Sequence, residues 1–133
     1  MNTRIRAADV QLKRAYEPPD PKDGRRVLVD RLWPRGVAKA EAAIDEWLKD
    51  VAPSTALRKW FGHDPARWDE FQRRYASEIH GHAELLAHLR ELARQGPLTL
   101  VYSARDEDHN DAVVLRRILL GNVGNERGRT AVK

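Results

Sequence analysis

The hydrophobic positions of the chain fall into two periods. Val10-Gln11-Leu12-Lys13-Arg14-Ala15-Tyr16 alternates apolar and polar, which predicts a first strand. Val27-Leu28-Val29 and Leu98-Thr99-Leu100-Val101-Tyr102 are short and nearly continuous apolar runs, the pattern of strands covered on both faces. Elsewhere the spacing is three or four. Trp68, Phe71, Tyr75 and Ile79 mark one helix. Ala83, Leu85, Leu86, Leu89, Leu92 and Ala93 mark the next, and Val113, Val114, Leu115, Ile118 and Leu119 the last, over Ala112–Leu120.

Punctuation fixes the boundaries. Pro18, Pro19 and Pro21, with Asp23-Gly24, make residues 17–24 a loop. Ser54 is a candidate cap for a short helix, Thr55 to Phe61, that stops at Gly62. Asp64-Pro65 restarts a helix, with Asp64 as cap and proline at its first position. Gly81 separates the next two helices, and Gln95-Gly96-Pro97 ends the second. Residues 37–52 fit two readings. Val37, Ala40, Ile44, Trp47, Leu48 and Val51 share a helical face, yet Ile44–Ala52 also fits a short strand after one helical turn.

Short apolar strands separated by helices predict a single α/β domain, with a small, largely parallel sheet of three or four strands flanked by helices. The domain spans residues 9–120, after a frayed segment 1–8 and before a loose, glycine-rich, charged tail 121–133. In such sheets ligands bind beyond the carboxyl ends of the strands.

Composition adds less. At 133 residues the chain makes one domain with a substantial core. The absence of cysteine excludes disulfides, thiolate catalysis and iron–sulfur clusters. No apolar run is long enough for a membrane helix, and Met1-Asn2-Thr3-Arg4 lacks the apolar core of a secretory signal, so a cytoplasmic location away from membranes is expected. The net charge is +4, and 18 of the 24 basic residues are arginine. Arginine makes bidentate contacts to phosphate and carboxylate. With 20 acidic residues, however, the chain is too balanced for a dedicated nucleic-acid binder.

The candidate chemistry gathers at the strand ends. Asp30, Arg31 and Arg35 follow the second strand. Arg105, Asp106, Asp108, His109 and Asn110 follow the third. If those strands are parallel neighbours, both loops open on one edge, beside the N-terminus of the last helix near Asn110 or Asp111. A helix N-terminus offers free N–H groups and a positive dipole end. Arg31, Arg35, Arg58 and Arg105, with Asn110, would bind a small anion. Asp30, Asp106 and His109 would orient it or transfer protons. The structural alternative pairs Asp30 with Arg105 or Arg31 and leaves Asp108 or Asn110 to cap the helix. Both readings place Asp30 within reach of an arginine.

Arg58-Lys59-Trp60-Phe61-Gly62-His63-Asp64 is a third cluster, in which Arg58 clamps an anion and His63 exchanges a proton, or the aromatic pair anchors a short helix. His80, His82 and His88 do not share one helical face, so structural or solvent-facing roles are expected, and neither metal nor cofactor is. Ser103 follows a buried strand without a Gly-x-Ser-x-Gly elbow.

Four stretches together carry a resemblance: residues 29–36 (Val-Asp-Arg-Leu-Trp-Pro-Arg-Gly), 47–54 (Trp-Leu-Lys-Asp-Val-Ala-Pro-Ser), 57–64 (Leu-Arg-Lys-Trp-Phe-Gly-His-Asp) and 102–110 (Tyr-Ser-Ala-Arg-Asp-Glu-Asp-His-Asn). Over residues 9 to 120 the chain resembles the short, YeaO-like branch of the DUF488 family, which carries no assigned function. The resemblance implies that these residues form the family's charged cluster. It also favours a strand within Ile44–Ala52, for a sheet of four. Longer relatives carry a cysteine where Ser103 stands and a Cys-His-Arg around His109, so thiol chemistry does not transfer here.

Three functions follow as expectations. The first is binding of a small anionic molecule, with or without catalysis. The second is nucleic-acid binding through Arg58, Trp60, Arg67, Arg73 and Arg74. The third is a stress or interaction adaptor, whose sign would be Trp33 exposed near Trp60.

Overall fold

A computed structural model describes residues 5–121. Its four strands, β1 (Val10–Arg14), β2 (Arg25–Leu28), β3 (Glu46–Trp47) and β4 (Leu98–Tyr102), form one sheet in the order β1-β4-β2-β3. Every pairing is parallel. Parallel neighbours need crossover connections. Five helices supply or extend them: α1 (Lys39–Ala42), α2 (Thr55–Phe61), α3 (Trp68–His80), α4 (Ala83–Gln95) and α5 (Asp111–Leu119). The expected α/β domain with a largely parallel sheet is therefore the observed one. Of the outer segments expected to be loose, 1–4 and 122–133 lie outside the described residues. Ala7–Asp9 forms a 3₁₀ turn whose Ala7 carbonyl accepts from Arg116 at 2.8 Å.

The two faces of the sheet are covered differently. Val27, Val29, Leu98, Leu100 and Tyr102 point into the main core, against Phe71, Tyr75, Leu89, Leu115 and Ile118 of the helices. Leu28 and Val101, one step out of phase, point the other way onto a smaller cluster with Trp33, Ile44 and Trp47. The alternation is the strand period of two. On that second face Arg26 is buried. It pairs with Asp23 at 2.7 Å and donates to the Ala42 carbonyl at 2.8 Å, so its charge holds the end of α1. The sequence shows Arg26 only as one of two polar residues entering a strand.

Residues 37–52 combine the two readings: one turn of α1, a two-residue β3, then a 3₁₀ turn at Lys49–Val51. The other boundaries follow their signals. Ser54 Oγ caps α2 at Leu57 N (3.1 Å), Gly62 ends it with φ +53°, and Asn110 Oδ1 caps α5 at Val113 N (3.1 Å).

The connections define where a site can form. After β2 the chain leaves towards α1, on the Arg26 face. After β4 it leaves towards α5, on the main-core face. Adjacent strands whose connections part to opposite sides leave a crevice beyond their carboxyl ends. Here that crevice lies between β2 and β4.

Candidate functional site

The register Leu28↔Val101 sets the geometry. Val29 N donates to Val101 O at 3.1 Å, continuing the ladder one residue past β2. One residue further Asp30 comes abreast of Ser103. Asp30 Oδ2 accepts from Ser103 N at 2.9 Å and from Ser103 Oγ at 2.8 Å. Trp47 Nε1 donates to the Asp30 carbonyl at 2.7 Å and fixes its backbone. Arg14, at the end of β1, donates to the Ala104 and Ser103 carbonyls at 2.9 and 3.2 Å. The ends of all four strands thus meet at one point.

A cleft of about 300 Å³ opens there. Asp30, Ser103 and Asp111 stand in its wall with Arg31, Arg35, Arg58 and His63. The loops after β2 and β4 meet as expected, and α2 contributes as expected. The partner of Asp30 is not as expected: no arginine lies within ion-pair range of it among the described residues, and Ser103 takes that place. Arg58 acts on Asp30 through its charge alone.

Asp111 is the site residue that the sequence reading left out of the charged cluster. It is the first residue of α5, where an acid ordinarily complements the helix dipole. Here it faces the crevice. Burial, and secondarily the charge of Asp30, push its carboxyl up to about 7, against the opposing pull of its own N–H and of Arg58. Burial also raises Asp30, against the Ser103 hydrogen bonds and the Arg58 charge. Each carboxylate charge disfavours ionisation of the other, so the pair does not readily carry two negative charges. The signal for Asp111 was its position directly after the strand–loop–cap sequence ending at Asn110.

The arginines of the cleft are uncommitted. Arg31 donates from Nη2 to the Ala52 and Pro53 carbonyls, both at a long 3.4 Å, and its Nε is buried without a partner. Arg35 and Arg58 make no side-chain hydrogen bond or ion pair among the described residues. Both are exposed, at the rim. His63 adopts φ +57°, a left-handed backbone rare for a side-chain-bearing residue, directly after the left-handed Gly62.

The remaining candidates lie elsewhere. Asp106 and His109 are outside the cleft wall. Asp106 accepts from Asp108 N (2.9 Å), His109 N (3.0 Å) and His109 Nδ1 (3.0 Å), and the first of these bonds leads in holding its carboxyl low. His109 sits edge-on to Trp68, centroids 5.0 Å apart. The pair shapes the loop. Asn110 is spent as the α5 cap, with Nδ2 on the Asp106 carbonyl at 2.8 Å, and it reaches an adjoining recess. Arg105 is exposed and not in the cleft wall.

Arg73 and Arg74 pair with Glu70, Arg67 with Asp64, and Arg67 and Arg74 flank the Trp60 ring. Trp33 packs edge-on against Trp47, with centroids 5.4 Å apart, and donates to Val37 O. His88 bonds Glu46 and His80 bonds its own helix, and no group of three His, Asp or Glu gathers among the described residues. No described helix is long and apolar enough to cross a membrane.

The fold and this charged crevice define a small parallel α/β protein with a site at the carboxyl edge of its sheet. Residues 9–132 match the family described as "Inactive DUF488-N3 subclade", and the chain belongs to it. It is 45% identical over 117 residues to the uncharacterized protein Rv3073c of Mycobacterium tuberculosis, covering 88% of this chain and 98% of that one. It is 44% identical over 107 residues to the uncharacterized protein YeaO of Escherichia coli, covering 80% and 93%. No solved structure matches the chain.

Proposed function

We propose that this protein binds a small phosphate- or carboxylate-bearing molecule in the crevice between β2 and β4. The observation that carries this reading is the state of three arginines. Arg31, Arg35 and Arg58 line one cleft, none has a carboxylate partner among the described residues, and Arg31 Nε is buried without any. A buried guanidinium nitrogen left unsatisfied is costly, and an anion in the cleft supplies what it lacks. Asp111, whose carboxyl is pushed up to about 7, adds an O–H donor to the same space when protonated.

Binding is favoured over turnover. Ser103 spends its hydroxyl on Asp30, and Asp106 with His109 stand apart from the cleft. The description of the matched family includes the word "inactive". Calorimetric titration of the protein with inorganic phosphate and with acetate at pH 6.5 tests the reading. Saturable binding of at least one, lost in the Arg35→Gln/Arg58→Gln double variant, is the expected result. Absence of heat for both anions, with no rise in thermal midpoint at high anion concentration, would overturn it.

A further inference from the structure

The cleft does not end at Asp111. A second recess of about 270 Å³ adjoins it, and the two share Pro53, Arg58, His63 and Asp111 as a common wall. Their chemistry differs. On the near side stand Asp30, Arg31, Arg35 and Ser103. On the far side the wall is Phe61, Phe71 and Pro53, with Lys59 at the edge. Asn110 also reaches it, but both ends of its amide are engaged within the chain.

Phe61 and Phe71 stack on each other, centroids 4.3 Å apart and planes 20° from parallel. Phe71 stacks in turn on Tyr75, whose hydroxyl bonds the Val51 carbonyl. The far wall is therefore a fixed apolar surface continuous with the core. Each recess lies at or just below the lower end of the usual range for a ligand site, about 300–1,000 Å³, and the two together fall well within it. Two observations mark the place where they meet. Asp111 stands in both walls, and His63, with φ +57°, holds a strained backbone there.

We infer that the ligand is bipartite: its anionic group lies among Arg31, Arg35 and Arg58, and a ring-sized apolar group lies against Pro53, Phe61 and Phe71. This rests on the anion-binding reading and specifies its ligand class, an aryl or similarly sized phosphate or carboxylate. Asp111 and His63 then stand beside the bond joining the two parts. A bare anion fills one side only, and burying the ring against apolar wall raises affinity in proportion to the area removed from water.

Matched ligand pairs test this in the wild-type protein. Phenyl phosphate is compared with methyl phosphate, and benzoate with acetate, by calorimetric titration at one pH and ionic strength. The expected result is that the ring-bearing member of the pair that binds does so at least about ten-fold more tightly. Isotope-filtered nuclear Overhauser spectra then show ring protons of the ligand against the rings of Phe61 and Phe71. The Phe61→Leu variant, checked for folding by circular dichroism, narrows the ratio. Equal affinities within each pair, or ring contacts only to residues outside the far recess, would overturn the bipartite ligand and leave the anion reading standing. No binding of any of the four compounds would remove both.

Discussion

Asp30 Oδ2 accepts both hydrogens that Ser103 offers, one from the backbone N–H at 2.9 Å and one from the hydroxyl at 2.8 Å. This closes the gap between the ends of β2 and β4 and holds one carboxylate of the site in place. Ser103→Ala removes the side-chain bond and keeps the backbone one. A stability loss of about 1 kcal/mol is expected. The Asp30 carboxyl should titrate higher, because the lost bond opposes the effect of burial. Urea denaturation and carbon-detected carboxyl titration by NMR measure the two. An unshifted Asp30 titration would show that the hydroxyl does not favour its charged form.

Asp111 makes stability depend on pH in a definite direction. Its folded pKa, about 7, lies above the ordinary 3.8. The folded chain therefore keeps a proton that the unfolded chain releases, and this group's contribution is greatest below pH 3.8 and declines as the pH rises to about 7. Asp111→Asn removes the decline. At pH 8 the variant should be more stable than the wild type by roughly 1–3 kcal/mol, solvent in the cleft reducing the full electrostatic penalty. At pH 3 the two should match. Denaturation series at both values decide it, and equal stabilities at pH 8 would refute a raised Asp111.

The same titration acts on ligands. Above pH 7 Asp111 is charged and repels an anion between the arginines. Sulfate keeps its charge across this range, so its affinity for the wild type should fall between pH 6 and 8. Asp111→Asn should flatten that profile. A steep fall that persists in the variant would assign the effect to another group.

Arg31 separates function from stability. Its Nε is buried without a partner and its Nη2 bonds are long. Arg31→Met keeps the aliphatic stem and removes the charge. Thermal stability should hold or rise, whereas phosphate affinity should drop about ten-fold or more, the scale of one lost charge-assisted hydrogen bond. A large fall in the thermal midpoint would show that the guanidinium supports the fold.

Gly24 tests the frame behind the site. A Cβ there would stand 2.2 Å from the Pro97 carbonyl oxygen and 2.7 Å from Pro97 Cβ, on a backbone at φ +64°. Arg25 N donates to that same Pro97 oxygen at 3.0 Å. Gly24→Ala should cost about 3 kcal/mol or more, read as a lowered urea midpoint.

The sequence made the strands legible because Val27–Val29 and Leu98–Tyr102 are covered on both faces, and continuous apolar runs have few other uses. The caps were legible because Ser54, Gly62, Asp64 and Asn110 each act within four residues. The meeting of the loops after β2 and β4 was legible only on the condition that the two strands are parallel neighbours, which the sheet order meets. What escaped depends on which strand lies beside which. Asp30 finds Ser103, and no arginine, because β4 sits between β1 and β2, an order that periodicity does not encode. Asp111 was legible only as a possible start of α5, and the cleft it lines is completed by α2 and the loop after β2. Arg26 carried no signal in the sequence, and its partners are Asp23 and the carbonyl at the end of α1. Asp106, His109 and Arg105 had the composition of a site, but the loop after β4 bends to satisfy its own backbone.

β3 pairs with β2 over only two residues, Glu46 and Trp47, before the backbone turns into a 3₁₀ helix. Beyond its role in covering Trp33, so short an outer strand leaves almost no open row of amide and carbonyl groups on that flank. A neighbouring molecule has too little template there to extend the sheet. The protein is thereby protected on that side against strand-by-strand aggregation, without using proline or lysine in the strand itself.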